Sequence, residues 1–239
     1  MVIIMKNIFY IVIFLFCFKV GKCQSVSGKI VYKVQLVDFA EGYTDQEYKD
    51  LNEAVVKISN MQTCTLLFNE FQSSFILDKN LISDNDNDGL NKMARVIAYS
   101  ETIENDCFID KKNNSIFNRS YGGKIIEKEN KILNWELTKE TKKIDGHLCY
   151  KAIYFLKFIN RKGINTSIPI YAWFAPSLPY SYGPKYFNGL PGLILELQDR
   201  GTTFYATSIS ILKDKELVIE FPKGKTISQE DYTKKGQSN

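Results

Sequence analysis

The sequence predicts a single, mainly β domain of antiparallel strands, with about nine or ten strands and two or three short helices. Apolar residues alternate with polar ones along most of the chain, which is the period of a half-buried strand. Short turns containing Gly or Asn join consecutive strand segments, and such tight connections require antiparallel neighbours. The composition has no shift, repeat or linker that would divide the chain. We therefore expect one curved sheet, arranged as an open half-barrel or as a two-sheet sandwich.

The alternation is clearest in residues 29–39, where Ile30, Tyr32 and Val34 fall on one face and Lys33 on the other. The same pattern predicts strands at residues 66–77, 124–129, 132–138, 148–159, 168–174, 193–198, 202–212 and 216–221. Residues 144–147 and 160–163 are predicted hairpin turns, because Gly and Asn tolerate positive φ.

Two helices are predicted between the early strands. Thr44 and Glu47 have the spacing of a capping box, and Asp88 can cap a second helix. The apolar stripes expected to be buried are Tyr48, Leu51, Val55 and Ile58 in the first helix and Leu90, Met93, Ala94 and Ile97 in the second. Residues 228–235 form a last short helix or a frayed tail, and residues 236–239 are expected to be disordered.

The first 23 residues have the three parts of a secretory signal. Lys6 precedes an unbroken apolar run over residues 8–18, and Gly21 and Cys23 supply small residues at an exit site. The run is shorter than the roughly 20 apolar residues that a membrane helix needs. We predict cleavage before Gln24 and export to the periplasm, the outer envelope or the medium. An uncleaved anchor is the alternative.

The basic character of the chain belongs to this leader. Lys6, Lys19 and Lys22 are three of the 31 basic residues, so 28 remain against 27 acidic residues. A nearly neutral domain, residues 24–235, gives no electrostatic case for nucleic acid as a partner. A lipid anchor at Cys23 is not expected, because Lys22 stands where a small residue is required.

Three cysteines follow the leader: Cys64, Cys107 and Cys149. In an oxidising compartment they can form one disulfide and leave one free thiol, or all three can serve as small buried apolar residues. No C-x-x-C pair supports a zinc or redox site. The single histidine, His147, excludes sites with several histidine ligands, so neither a metal nor a cofactor is predicted.

Two further motifs are incomplete. Residues 84–89, DNDNDG, begin like an EF-hand loop, but Arg95 stands at the twelfth position where a bidentate Glu is needed. We expect an acidic loop before a helix and no calcium site. Residues 224–226 end like a P-loop, but Ile219 occupies the first glycine position, so no phosphate site is predicted.

The most specific segment covers residues 171–197, YAWFAPSLPYSYGPKYFNGLPGLILEL. Its characteristic residues are Trp173, Pro176, Pro179, Gly183, Pro184, Phe187, Gly189, Leu190, Pro191 and Gly192. In this order they resemble the signature of the GLPGLI family of exported bacterial proteins. The resemblance implies an exported protein without an assigned biochemical role, and it transfers no catalytic residue.

Residues 189–192 also have a purely conformational interpretation. Pro191 and Gly192 predict a type II turn in which Gly192 has positive φ. The aromatic residues before this turn, Tyr180, Tyr182, Tyr186 and Phe187, either fold back onto the sheet or face a partner. A structural loop and a binding surface are therefore both open interpretations.

The predicted function is a non-catalytic binding or accessory module of the cell envelope. It would hold an apolar ligand or a partner protein in a groove between the concave sheet and the helices, or through the aromatic loop. A hydrolase that uses His147 with carboxylates and a structural envelope component are the alternatives. No G-x-S-x-G motif is present, and Glu136 and Glu196 lie on the polar sides of their strands, which disfavours a glycosidase pair.

Overall fold

The computed structural model describes residues 26–38, 44–78, 89–160, 162–213 and 215–237. The predicted leader, residues 1–23, and residues 84–88 of the acidic stretch lie outside this part of the chain. The described residues form one mainly β domain, so the predicted fold class is confirmed. No helix within these ranges is long and apolar enough to cross a membrane.

Twelve strands in the described residues form one hydrogen-bonded sheet. They are β1 (Val26–Leu36), β2 (Thr63–Phe68), β3 (Gln72–Leu77), β4 (Asn105–Asp110), β5 (Ser115–Ser120), β6 (Ile125–Glu129), β7 (Glu136–Ile144), β8 (His147–Ile159), β9 (Asn165–Ala175), β10 (Leu193–Asp199), β11 (Thr202–Lys213) and β12 (Thr226–Ser228). Their order in the sheet is β12-β6-β5-β4-β3-β2-β1-β11-β10-β9-β8-β7. All neighbours are antiparallel except β12 and β6, and the two end strands do not pair, so the sheet is open.

Three helices occur in the same ranges: α1 (Gln46–Met61), α2 (Gly89–Thr102) and α3 (Gln229–Gln237). α1 connects β1 to β2 and α2 connects β3 to β4, so both lie at one end of the sheet. The predicted capping box is wrong, because the N-cap of α1 is Asp45, whose carboxylate accepts a hydrogen bond from the Tyr48 amide at 2.9 Å. α3 includes Gly236 and Gln237, although the predicted disordered tail begins at residue 236.

Several strand boundaries differ from the predicted ones. Residues 66–77 are a hairpin and not one strand, because Asn69 accepts hydrogen bonds from the Phe71 and Gln72 amides and turns the chain. The strand predicted at 132–138 begins only at Glu136. β4, β5 and β12 were not predicted, since their many Asn, Asp, Ser and Thr residues weaken the hydrophobic alternation.

The strand predicted at residues 216–221 is also wrong. This segment pairs with no described strand and instead crosses the outer face of the sheet before β12 joins β6. The Phe221 ring packs 5.7 Å from Phe108 and 5.6 Å from Phe117, and the Leu217 amide donates to Ser27 Oγ at 2.8 Å. Its apolar residues thus cover the sheet with their side chains and do not extend it.

The inner face of the sheet is concave and carries the main core. Ile30, Tyr32 and Val34 of β1 are buried on this face, as their alternation predicted. The rings of Phe75 on β3 and Phe204 on β11 lie 5.7 Å apart, although three strand spacings of about 4.8 Å separate their strands. Side chains from distant strands therefore converge, as a curved sheet requires.

All three cysteines of the described residues are buried and free. The interpretation as small buried apolar residues is thus confirmed, and the alternative disulfide is absent. Burial raises the pKa of each thiol, to about 12 for Cys107. These thiols are therefore poorly accessible and rarely ionised.

Candidate functional site

The loop at residues 176–192, which we call the signature loop, folds back onto the concave face of the sheet. Tyr182, Phe187 and Leu190 are almost completely buried in the main core. The Tyr182 ring packs 5.5 Å from Phe68 of β2, and Phe187 stacks on Tyr186 at 4.5 Å. Of the two open interpretations, the geometry is that of a structural loop. It also covers part of the concave face of the sheet.

Backbone hydrogen bonds join the signature loop to β10. The Leu193 amide donates to the Leu178 carbonyl at 2.9 Å, and the Ile194 amide donates to the Tyr182 carbonyl at 3.0 Å. The buried Tyr32 hydroxyl donates to the Ile194 carbonyl at 2.6 Å. Because these buried polar groups have partners, the loop can lie in the core without a large desolvation cost.

The type II turn predicted at Pro191 and Gly192 is wrong. Gly192 does not have positive φ; its amide donates to the Leu190 carbonyl at 2.8 Å, which closes a tight turn around Pro191. Gly192 is needed for a different reason. A Cβ at this position would collide with the Ala175 carbonyl oxygen and stand 2.6 Å from its carbon.

Two other glycines of the signature loop have separate roles. Gly189 has φ of 92°, in the region that favours glycine, and open space surrounds it. Gly183 is buried against Ile194, whose Cδ1 would stand 2.7 Å from an added Cβ. Pro184 is buried beside Gly183, whereas Pro176, Pro179 and Pro191 are exposed. The motif therefore contains one glycine at positive φ, Gly189, and two glycines, Gly183 and Gly192, where a side chain would collide with a neighbouring segment.

A buried ion pair, which the sequence analysis missed, anchors the same loop. Lys185 Nζ lies 2.7 Å from Asp199 Oδ2, and their side chains are only 6% and 4% exposed. Arg200 Nε donates to the other carboxylate oxygen at 3.2 Å. Burial alone would raise the pKa of Asp199, but Lys185 and Arg200 outweigh it and the pKa of this carboxyl is lowered. The available signal was that Lys185 is the one charged residue in the sequence of residues 176–192.

Two more lysines cover the aromatic rings of the loop. Lys111 Nζ lies 3.7 Å from the centre of the Tyr182 ring, and Lys128 Nζ lies 4.2 Å from that of Tyr186. Burial lowers the pKa of both amines, to about 8 for Lys111. These contacts stabilise the packed loop and leave its rings little free surface.

Trp173 points away from the core, since its neighbours Ala172 and Phe174 are buried. Lys142 Nζ lies 4.3 Å from the centre of its ring and 2.7 Å from Glu196 Oε1. Glu196 is thus occupied by an ion pair on the outer face, and Glu136 is exposed at the start of β7. Both carboxylates lie on the polar side of the sheet.

His147 follows a tight turn in which Asp145 and Gly146 have φ of 47° and 78°, as the predicted hairpin requires. Its Nδ1 lies 2.9 Å from Ser177 Oγ, an exposed hydroxyl in the signature loop. A histidine beside a serine is one contact of a hydrolase site, which also needs a carboxylate and a pocket. Neither described cavity is lined by His147 or Ser177. The hydrolase alternative stays a prediction.

A cavity of about 660 Å³, which we call the helix cavity, lies between α1, α2 and the end of β3. Its apolar lining consists of Ala54, Ile58, Met61, Leu77, Tyr99 and Tyr121. The rings of Tyr99 and Tyr121 lie 5.2 Å apart, and Tyr121 is largely exposed. The cavity thus presents aliphatic and aromatic surface that water can reach.

Charged groups surround this lining: Asp50, Glu53, Lys57, Asp78 and Arg95. The Asp78 carboxylate is held in place by the hydroxyls of Thr63 and Thr65, which donate at 2.9 Å and 2.8 Å. Burial raises the pKa of Tyr99, and the nearby Asp106 carboxylate raises it further, so this phenol stays protonated. The site has a fixed acceptor at one edge and an un-ionised phenol in its wall.

The buried face of α2, on which Tyr99 reaches the helix cavity, differs from the predicted one. The predicted stripe was Leu90, Met93, Ala94 and Ile97, but the buried residues are Ala94, Ala98, Tyr99 and Thr102. The two small alanines face the core cluster around Val55, which allows α1 and α2 to pack closely. Met93 is 56% exposed, and Tyr99 turns toward the cavity. Local periodicity cannot choose between two overlapping apolar stripes.

A second, more open cavity of about 420 Å³ lies at β5, β6 and β12 and is lined by polar residues such as Asn113, Glu127 and Thr226. Within the described ranges, no three His, Cys, Asp or Glu side chains are grouped so that they could hold a metal ion. Gly224 precedes the short strand β12, where a P-loop would continue into a helix.

A family model described as "Protein of unknown function (Porph_ging)" matches residues 158–196. This segment runs from the end of β8 through β9 and the signature loop into β10. The match supports similarity to an uncharacterised family over this short region only. The resemblance to the GLPGLI family stays a prediction. No curated protein matches the chain.

Two solved structures of PNGF-II share the fold. The one in space group P21 has a TM-score of 0.52 at 18% sequence identity and covers 87% of this chain. The one in space group C2 has a TM-score of 0.53 at 18% identity and covers 90% of this chain. In both cases the match covers 32% of the PNGF-II chain, so the present chain corresponds to about a third of that length. At this identity the likeness concerns the fold alone.

Proposed function

We propose that this chain is an exported, non-catalytic binding module of the cell envelope whose helix cavity holds a small amphipathic ligand. The observation that carries the proposal is the combination of an apolar lining with a charged rim in a volume of about 660 Å³. Small-molecule sites typically have about 300 to 1,000 Å³, mostly apolar walls and a few polar groups that orient the ligand. The signature loop does not compete for this role, because its aromatic rings are packed against the sheet.

The lining indicates the class of ligand. Tyr99 and Tyr121 offer ring surfaces for a flat or aliphatic body, and Ile58 and Met61 extend this apolar wall. The Asp78 carboxylate accepts one hydrogen bond at each oxygen and retains lone pairs for a ligand donor. The ligand should therefore combine an apolar body with a polar end that donates a hydrogen bond.

Two exposed methionines provide a matched test. Met61 lines the helix cavity and is 53% exposed, whereas Met93 on α2 is 56% exposed and does not line it. Binding of the fluorescent apolar probe 1-anilinonaphthalene-8-sulfonate should weaken about tenfold in Met61→Glu. The bound probe would then have to desolvate the carboxylate introduced at position 61. Met93→Glu should change the affinity less than about twofold, since its side chain does not reach the cavity. Equal effects of both variants would contradict the assignment of the site.

Mass spectrometry of small molecules released from the purified chain would then identify the natural ligand. Absence of probe binding to the unchanged protein would instead favour the alternative of a structural envelope component. Export has its own test, because it rests on the leader and not on the cavity. N-terminal sequencing should give Gln24 as the first residue, while an intact Met1 or Met5 in the membrane fraction would support the uncleaved anchor.

A further inference from the structure

The hairpin of β8 and β9 extends beyond both neighbouring strands. β7 pairs with β8 only as far as Glu136 opposite Ile153, and β10 pairs with β9 only as far as Gln198 opposite Tyr171. Residues 155–160 and 162–169 therefore form a two-stranded projection, which we call the ribbon, held by pairs from Phe155 opposite Pro169 to Ile159 opposite Asn165. The base of the ribbon still contacts the domain, because Leu156 packs against the main core. The three residue pairs beyond Leu156 reach about 10 Å further.

Exposed apolar residues stand on both faces of the ribbon, among polar residues of β9 such as Thr166 and Ser167. Phe155 and Ile159 lie on one face and Phe158 on the other, because successive side chains of a strand alternate. Phe155 and Phe158 are each 38% exposed, Ile159 is 69% exposed and Ile164 at the tip is 57% exposed. Several large apolar side chains exposed together on one short element mark an interaction surface.

Hydrogen bonds join the described residues on either side of the tip. Asn160 Oδ1 accepts hydrogen bonds from the backbone amides of Lys162 and Ile164 at 2.9 Å and 3.0 Å. The backbone N–H of Asn160 donates to the Ile164 carbonyl at 3.0 Å. These bonds fix the exposed Ile164 beside the end of the strand pair, close to Ile159. The described apolar residues near the tip, Ile159 and Ile164, are thus held close to each other by these hydrogen bonds.

The charges of the ribbon all have one sign. Lys157 and Lys162 are exposed, and the whole sequence has no acidic residue between Asp145 and Glu196. Protein interfaces are usually depleted in lysine, and they offset their charges with opposite ones. Apolar and aromatic groups flanked by cations instead match a bilayer surface, whose acyl region takes the rings and whose anionic headgroups attract the lysines.

We propose that the ribbon inserts into the headgroup region of a bilayer containing anionic lipid and so holds the domain at a membrane surface. This inference is independent of the ligand proposed for the helix cavity, which lies at the end of the sheet formed by β1 to β4. Burial of an apolar element by about 5 to 10 Å into the lipid interface is within the reach of the ribbon.

A label on the ribbon tests the proposal with the full chain. Cys17 and Cys23 are replaced by serine in every variant. Cys64, Cys107 and Cys149 are buried, so an environment-sensitive nitrobenzoxadiazole dye will then react at one added cysteine. Phe158→Cys and Ile164→Cys place the dye on the ribbon, and Val218→Cys places it on a control residue that is 84% exposed. Residues 1–23 are present in every variant, so the comparison between positions isolates the ribbon.

With vesicles of phosphatidylcholine and phosphatidylglycerol, dye emission at residues 158 and 164 should rise about threefold and shift to the blue, with no change at residue 218. Lys157→Glu combined with Lys162→Glu should weaken this response at least about tenfold, whereas Lys225→Glu, a change at another exposed lysine, should not. Unchanged emission at both ribbon positions, or an equal response at residue 218, would overturn the proposal. A response to protein concentration without vesicles would overturn it too, because a second copy would then cover the ribbon.

Discussion

The signature loop and the helix cavity differ in how their apolar groups are used. The loop has the most specific sequence of the chain, yet its rings are buried against the sheet and its polar groups have partners. The helix cavity is lined by residues without a recognisable motif, such as Met61 and Tyr121, and its surface stays open. A distinctive motif can therefore encode packing, while a candidate site can arise where packing is incomplete. Variants in the first region should therefore change stability, and variants in the second should change binding.

The largest expected effect comes from the buried ion pair of the signature loop. Lys185→Met should reduce the free energy of unfolding by about 3 to 5 kcal/mol, because it leaves Asp199 buried without its main partner. Glu140→Ala, which removes the exposed partner of Lys151, should cost less than about 1 kcal/mol. Denaturant midpoints of both variants measure the difference. Equal losses of unfolding free energy in Lys185→Met and Glu140→Ala would contradict the tight packing of the signature loop.

The glycines of the signature loop should give the next largest effect. Gly192→Ala should cost roughly 3 kcal/mol, because the new methyl group meets the Ala175 carbonyl in the core. Gly189→Ala should cost roughly 1 to 2 kcal/mol, since φ is positive but the space is open.

Gly122→Ala is the matched control, because its surroundings are open and its φ is ordinary, and it should change stability by less than about 0.5 kcal/mol. Thermal unfolding of the three variants ranks them. If Gly189→Ala proved more damaging than Gly192→Ala, the positive φ would matter more than the close approach.

Acid should weaken the same loop. The pKa of Asp199 is lowered in the folded protein, so its ionised form stabilises the fold above its unfolded pKa, near 3.8. That contribution is lost as the pH falls through the lower folded value. Stability measured between pH 6 and pH 2 should therefore decline at the acidic end, and less steeply in Lys185→Met, where Asp199 has lost its main cation. Equal slopes in both proteins would assign the acid sensitivity to other carboxylates.

The smallest effect on stability is expected at His147. His147→Ala loses one hydrogen bond to the exposed Ser177 and should change the free energy of unfolding by less than about 0.5 kcal/mol. If the hydrolase alternative holds, this variant and Ser177→Ala should both stay folded and lose a measurable activity toward esters or amides. Denaturant midpoints and substrate assays of the two variants decide between the interpretations.

Much of the fold follows from local sequence, and the candidate site does not. Alternation on β1 and the turn at Asp145 and Gly146 depend on neighbours along the chain, so both were predictable. The polar strand β4 and the covering segment at Phe221 depend on contacts far away in sequence, so both were missed. A groove between the helices and the sheet was expected, but the lining of the helix cavity was not predicted, because it depends on how two helices rotate against each other.

Local patterns were enough to predict the mainly β class, the antiparallel connections and the faces of the regular strands, because the period of two and the turn residues act between neighbours along the chain. The need for glycine at position 192 becomes visible only in the folded chain, since the obstacle is the Ala175 carbonyl at the end of β9. The same holds for the burial of Lys185 against Asp199 and for the ribbon, whose strands β8 and β9 extend beyond β7 and β10. Each of these depends on distances between segments remote in sequence, which no local pattern records.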